Sequence, residues 1–270
     1  MTILNIKEKD LTIIIPLKNG HTLLYVSFIH LFKHLNIEVE VIVKPTEILN
    51  NVHIFVRNPI NRFFSSYYWL GYMAEIGEDV YKNNLITLLK KTNVSDIDSY
   101  INQYRNFLIE CDDFHYIPQS CQILYSEDKI YKNELIDIQT DIKSLYDKNF
   151  GLNYKIFKIE DINKNIEENR TSLIKKNIGF NGSYEPIAFN TNKFSFLEDY
   201  PNEISFLFST FYEYFKNIYI KTNHHKNIDY TDKINLHQFK TVCSLTENER
   251  TFFGYDLKEI DYKVFKKALI

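Results

Sequence analysis

The stretch "LTIIIPLKNGHTLLYVSFIHLF", Leu11 to Phe32, decides how the fold is read. Its opening run is short, apolar and rich in β-branched residues, the pattern of a strand buried on both faces. A polar loop and an amphipathic helix follow. Strand, loop and helix in that order form the repeating unit of an α/β fold, and the loop offers free backbone N–H groups to an anion at the helix start. Outward from it, "EVEVIVK" (Glu38 to Lys44), "HIFVR" (His53 to Arg57) and "YKIFKIE" (Tyr154 to Glu160) read as further strands buried in the same way. The expectation is an α/β fold: a central, mostly parallel sheet flanked by helices, with a mainly helical C-terminal part.

Between the strands the spacing turns helical. "SDIDSYINQYRNFLIE" places Ile97, Tyr100, Ile101, Tyr104, Phe107 and Leu108 on one face, with Ser95 and Asp98 arranged as a capping box. Leu135, Ile138, Ile142 and Leu145 repeat the spacing, as do Phe208, Phe211, Tyr212 and Phe215, and these stripes are read as core. No Pro/Gly-rich linker, repeat or low-complexity tract divides the 270 residues, so a single domain over 1–270 is expected.

Composition narrows the function classes. A net charge of -3 argues against a general nucleic-acid coat. No apolar run reaches the length of a membrane span, and no secretion signal opens the chain, so a cytoplasmic protein is expected. Cys111, Cys121 and Cys243 are spaced for neither a disulfide framework nor a metal site. "NHHKN" around His224 and His225 reads as a solvated turn, and no metal ligand set is identified. The abundance of Asn, Ile, Lys, Tyr and Phe is the signature of an AT-rich microbial or viral genome. In such a chain lysine does the generic basic work. The few arginines, Arg57, Arg62, Arg105, Arg170 and Arg250, are therefore informative.

Two of them fall in "VHIFVRNPINRFFSSYYWL", Val52 to Leu70. Here a strand is followed by Asn58 and Pro59, and Pro59 suits a first helical turn because its missing N–H has no intrahelical partner there. Arg57 ends the strand, where α/β sheets bind ligands, and Ser65 lies about two turns into the helix. A planar guanidinium with a hydroxyl suits a phosphate; a structural ion pair is the alternative. In the first loop, Lys18 supplies a charge, Gly20 a sharp turn and Thr22 a hydroxyl, with an ordinary capped turn as the alternative. Its lysine precedes the glycine, which is not the nucleoside-triphosphate pattern.

Together these segments resemble the carbohydrate group of sulfotransferases that use 3'-phosphoadenosine 5'-phosphosulfate (PAPS). "PLKNGHT" is similar to the family's 5'-phosphosulfate loop, with Leu17 as an extra residue. "RNPINRFFS" is similar to its 3'-phosphate segment, with Asn58 where aspartate is common. "HYIPQ" (His115 to Gln119) resembles the acceptor-side segment, and "YKIFKIEDI" a late strand. The resemblance covers the chain to about residue 160 and implies a P-loop-NTPase-like sulfotransferase fold. It implies PAPS as co-substrate and 3'-phosphoadenosine 5'-phosphate (PAP) as product, bound by Lys18, Asn19, Gly20, His21, Thr22, Arg57 and Ser65. Arg62 either anchors its helix or contacts the same ligand.

The implied reaction moves a sulfuryl group to a hydroxyl acceptor, with a carbohydrate expected. Lys18 is the choice for neutralising the leaving oxygen. Histidine's unperturbed pKa of about 6.5 suits the base. The resemblance puts His115 on the acceptor side, with His21 and Glu75 in reserve, while Tyr67, Tyr68 and Trp69 offer a stacking wall. The rival classes are a nucleotide-dependent kinase, which should also show Mg²⁺-binding carboxylates, and a non-catalytic nucleotide- or glycan-binding module derived from the fold.

Overall fold

The chain opens with a hairpin in which β1 (Thr2–Ile6) runs antiparallel to β2 (Leu11–Ile15). The computed structural model describes residues 1–19, 21–42, 51–124, 142–150, 153–161, 234–255 and 262. The hairpin turns through Lys7–Lys9, with Asp10 in the left-handed region at φ 47°. β1 is not among the strands expected from the sequence. It occupies the place beside β2 and takes β3 (Glu40–Ile42) on its other edge, again antiparallel.

On the opposite side β2 pairs in parallel with β4 (Val52–Val56), and β4 in parallel with β5 (Tyr154–Lys158), giving the order β3-β1-β2-β4-β5. The sheet is therefore mixed, which corrects the expectation of a mostly parallel one. Interposition of β1 is the physical reason. The α/β class holds, since helices cover the sheet. β2 and β4 are buried at every position, as their continuous apolar runs require, whereas β3 is largely exposed and short, an edge strand rather than a buried one.

Alternation sorts the strand side chains between two layers. Ile13, Ile15 and Phe55 join Leu24, Phe28, Leu31 and Phe32 of α1 (His21–His34). Ile14, Ile54 and Val56 face the other way, onto Ile142, Tyr146 and Phe150 of α7 (Ile142–Phe150) and onto Phe253 and Tyr255. Each such fully buried aliphatic or aromatic side chain contributes about 1.5–3 kcal/mol, so both layers hold the strand ends in register.

A separate helical core gathers around α2 (Pro59–Ile76), with α3 (Asp79–Lys91), α4 (Ile97–Asn102), α5 (Tyr104–Glu110) and α8 (Leu236–Leu245). The six residues expected on one face of Ile97 to Leu108 all join it. The helix they form is broken at Gln103, where ψ of 8° ends α4 and starts α5. The capping box lies one residue later than expected: Asp96 and Ser99 cap each other's backbone, not Ser95 and Asp98. α6 (Gln119–Leu124) and α9 (Glu247–Phe252) complete the described helices. Residues 234–255 are mainly helical, as expected of the C-terminal part; Leu135, Ile138, the Phe208 to Phe215 stripe, His224 and His225 lie outside the described residues. No helix among the described residues is long and apolar enough to cross a membrane.

Candidate functional site

Three parallel neighbours, β2, β4 and β5, end on one side of the sheet, and the residues just past their ends are Lys18, Arg57 and Glu160. This is where open α/β sheets form their ligand crevices. After β2, Lys18 takes a left-handed backbone at φ 68°, an uncommon state for a side-chain-bearing residue and one that needs outside support. The support is visible on both sides of it. Leu17 N–H donates to Gln122 Oε1 at 2.8 Å, and Leu17 O accepts from Arg62 Nε at 3.3 Å. Asn19, fully buried, donates through Nδ2 to Phe55 O at 3.1 Å and to Gln119 Oε1 at 2.6 Å. The extra residue Leu17 is thus pinned at both its N–H and its carbonyl. Gly20 and the Thr22 side chain lie outside the described residues.

The segment after β4 is built largely from its own sequence. Pro59 opens α2, and Asn58 caps it by accepting from Ile60 N–H at 3.0 Å. Gln119 grips Arg57 as a strand would, accepting from its N–H at 3.0 Å and donating to its carbonyl at 2.7 Å. Glu160 accepts from Asn58 N–H at 2.8 Å and from the Tyr255 hydroxyl at 2.7 Å. Arg57 Nη1 then donates to Lys18 O at 3.3 Å, which ties the two loops together.

Arg62 resolves the alternatives left open for it. It is buried, and besides Leu17 O its Nη2 donates to Ile117 O at 2.5 Å and Phe114 O at 3.5 Å. Those carbonyls belong to the first loop and to the segment before α6, so Arg62 is the anchor that joins them to α2. Ser65 is half-buried and makes no side-chain hydrogen bond among the described residues. Its neighbour Ser66 is the one aimed inward, donating to Arg62 O and His115 O, each at 2.9 Å.

The electrostatics follow from crowding. Burial, then Arg57 and Arg62, lower the Lys18 ammonium from 10.5 to about 7, with Asp113 only a weak counterweight. Burial likewise pulls Arg57 below its usual range against the opposing pull of Glu160. Lys18 Nζ rests 3.9 Å above the Trp69 ring, a cation–π contact that lessens the cost of a half-buried charge.

Trp69 also stacks with His115, ring centroids 5.7 Å apart and planes at 28°. This indole therefore contacts both Lys18 and His115, and it packs with Tyr67 and Tyr68 against the helical core. His115 Nδ1 lies 2.7 Å from Asp113 Oδ1, and Asp113 in turn accepts the Tyr81 hydroxyl. His21, in the first turn of α1, is bonded through Nε2 to the Thr2 hydroxyl at 2.5 Å and stacks on Tyr25. Burial, the Met1 amine and His115 lower its pKa to about 4, so it stays neutral at pH 7. Glu75 is exposed, roughly 9 Å further along α2 than Trp69 by helical rise.

The structure thus brings together Lys18, Asn19, Arg57, His21 and His115, and leaves Ser65 and Glu75 outside the hydrogen-bonded network. Sequence reading misses Gln122, Glu160, Tyr81 and Asp113. For Asp113 a signal exists, because an aspartate two residues before His115 has the spacing of an Asx turn, and Glu160 ends the expected strand "YKIFKIE" as Arg57 ends "HIFVR"; for Gln122 and Tyr81 none does. Two surface clefts, one lined by Lys91, Gln103, Asn106 and Glu110 and one by Ile86, Leu89, Lys90 and Val94, lie elsewhere on the helical side and hold none of these residues. Cys111, Cys121 and Cys243 are buried and form no disulfide, and no group of three or more His, Cys, Asp or Glu among the described residues is placed to hold a metal ion. Neither a family model, nor a curated protein, nor a solved structure matches this chain.

Proposed function

We propose that the chain is a PAPS-dependent sulfotransferase acting on a hydroxyl acceptor, a carbohydrate by the family resemblance. The observation that carries the reading is the pairing of Lys18 and Arg57 past the ends of adjacent parallel strands, with α1 and α2 starting just beyond them. Two strand–loop–helix units side by side offer two anion sites, and PAPS carries two phosphate-bearing ends. The same units support the finer fold reading, a P-loop-NTPase-like sulfotransferase core to which the β1 hairpin is added at the side.

The donor set fits such a ligand. Lys18 is depressed by burial and by two arginines, with little carboxylate compensation, so an anion in the first loop supplies the missing counter-charge. Arg57 is backbone-locked by Gln119, which leaves its planar head pre-organised for a 3'-phosphate. PAPS supplies the activated sulfuryl group, whose bond to the phosphate oxygen breaks as the acceptor oxygen bonds to sulfur. Lys18 neutralises the charge arriving on that phosphate oxygen. His115 takes the acceptor's proton.

Calorimetry with PAP and AMP tests the reading, because the two differ by the 3'-phosphate that Arg57 would hold. A charge-assisted bidentate contact contributes about 1.5–3 kcal/mol, so PAP is expected to bind roughly 10- to 100-fold more tightly. Arg57→Ala should erase the preference and Arg57→Lys restore only part of it. Equal affinities in the native chain would remove the assignment, and PAP binding without turnover of any hydroxyl acceptor would make it a binding module.

A further inference from the structure

We propose that Asp113 is a positioning residue, forming with His115 a carboxylate–imidazole pair that presents Nε2 as the proton acceptor; the inference rests on the sulfotransferase reading. A single oxygen, Asp113 Oδ1, accepts both the backbone N–H of His115 at 2.8 Å and its ring Nδ1 at 2.7 Å. The main-chain bond closes an Asx turn, and the ring bond aims the imidazole from within that turn. The other carboxylate oxygen takes the Tyr81 hydroxyl, whose oxygen also lies 3.3 Å from the Tyr116 hydroxyl.

The ring has little freedom left. Trp69 covers one of its faces, and the His115 carbonyl is tied to α2 through Ser66. Burial alone would discourage ionisation of Asp113, but hydrogen bonds from His115 and Tyr81 outweigh it and hold the carboxyl below its ordinary range. An ionised carboxylate has no proton to give, so Nδ1 must carry one and the lone pair falls on Nε2. The edge is reachable, since the His115 side chain keeps 36 % of its exposure against 24 % for Asp113.

His21, the other histidine of the site, is engaged by Thr2 and held neutral, so its Nε2 does not compete for the proton. When the acceptor hydroxyl attacks sulfur, its proton passes to His115 Nε2 and the electron pair of the broken bond stays on the departing phosphate. The imidazolium so formed has Asp113 2.7 Å behind it, and Lys18 lies on the same indole that His115 stacks against. One indole therefore touches both the group that receives the proton and the group that neutralises the leaving oxygen.

The test combines ¹⁵N NMR of the imidazole with kinetics of Asp113→Asn, whose amide oxygen can still close the Asx turn while the negative charge is gone. His115→Gln assigns the resonance. The expected wild-type spectrum shows the Nδ1–H tautomer with a hydrogen-bonded Nδ1 proton. Asp113→Asn should lose that proton signal and about 10²-fold in kcat, with PAP affinity and melting temperature unchanged. Tyr81→Phe should cost only a few-fold. A wild-type Nε2–H tautomer, or an Asp113→Asn enzyme with native kcat, would overturn the pair. Equal PAP and AMP affinities would instead remove the sulfotransferase reading, and the tautomer would then decide the pair alone.

Discussion

The loops after β2 and β4 carry the two cations of the candidate site, yet they are held by different means. The second is supported in part by its own residues: Asn58 caps α2, Pro59 pre-sets its first turn, and Arg57 extends a strand buried along its whole length, while Gln119 and Glu160 hold the Arg57 and Asn58 backbone from outside. The first has no cap of that kind in the described residues and holds a lysine in a left-handed backbone. Its order is borrowed from Arg62, Gln122 and Gln119, which reach it from two other helices. A loop that borrows its geometry should fail when the lender is changed. A loop that encodes it should yield only the increment of each local contact.

The largest effect is expected from Arg62→Ala. It removes the side-chain donor of the Leu17 carbonyl, leaves those of Phe114 and Ile117 to Gln122 alone, and takes from buried Glu249, whose carboxyl burial already pushes up, the opposing pull of the Arg62 charge. The cost should be about 3–5 kcal/mol in urea denaturation, with loss of PAP binding. Arg62→Lys keeps the charge but not the fork and should recover only part. An alanine variant with the native midpoint would show that the first loop orders itself.

An intermediate effect is expected from pH acting on Lys18. In the free protein its ammonium loses a proton as pH rises through about 7. Above that, anion binding must take the proton back, so PAP affinity should be highest below about pH 7 and decline by up to about tenfold per unit above it. Calorimetry in buffers of different ionisation heat reads the proton uptake, and Lys18→Met should abolish it. Stability has the opposite trend. Between about pH 7 and 10.5 the unfolded chain holds the extra proton, so Lys18 makes the fold more stable as pH rises through that window. An affinity flat from pH 6 to 9 would place the Lys18 charge elsewhere.

The smallest effect belongs to the local cap of the second loop. Asn58→Ala removes one cap and should cost about 1 kcal/mol by thermal denaturation. Asn58→Asp keeps the cap acceptor and so should cost less than the alanine change, although it sets a second carboxylate beside Glu160, which accepts from the same residue's N–H. If Asn58→Ala were as damaging as Arg62→Ala, the distinction between the two loops would fail.

Much of this was legible in the chain because it is local. β2, β4 and β5 were identifiable from short apolar runs, α2 from Asn58 and Pro59, and the face of Ile97 to Leu108 from its spacing. β1 was missed although "TILNI" before the turn at Lys7–Lys9 carries a strand-like run, and that omission turned a mixed sheet into an expected parallel one. Spacing alone does not tell Ser65 from Ser66, yet Ser66 is spent on the carbonyls of Arg62 and His115 while Ser65 stays half-buried, because residues one apart in a helix point about 100° away from each other.

The two arginines mark the boundary between the kinds of information. That Arg57 closes a strand and Arg62 sits in the first turns of a helix follows from the sequence itself, since strand burial, capping and a proline's fixed φ act between residues a few positions apart. That Arg57 reaches Lys18 while Arg62 disappears into the carbonyls of Leu17 and Ile117 was decided only by tertiary structure. These partners lie 39, 45 and 55 residues apart in the chain, and Gln122 meets Leu17 across 105. Hydrogen bonds are directional over about 3 Å, so such partners exist only once the sheet has aligned its strand ends and packed α2 and α6 against them.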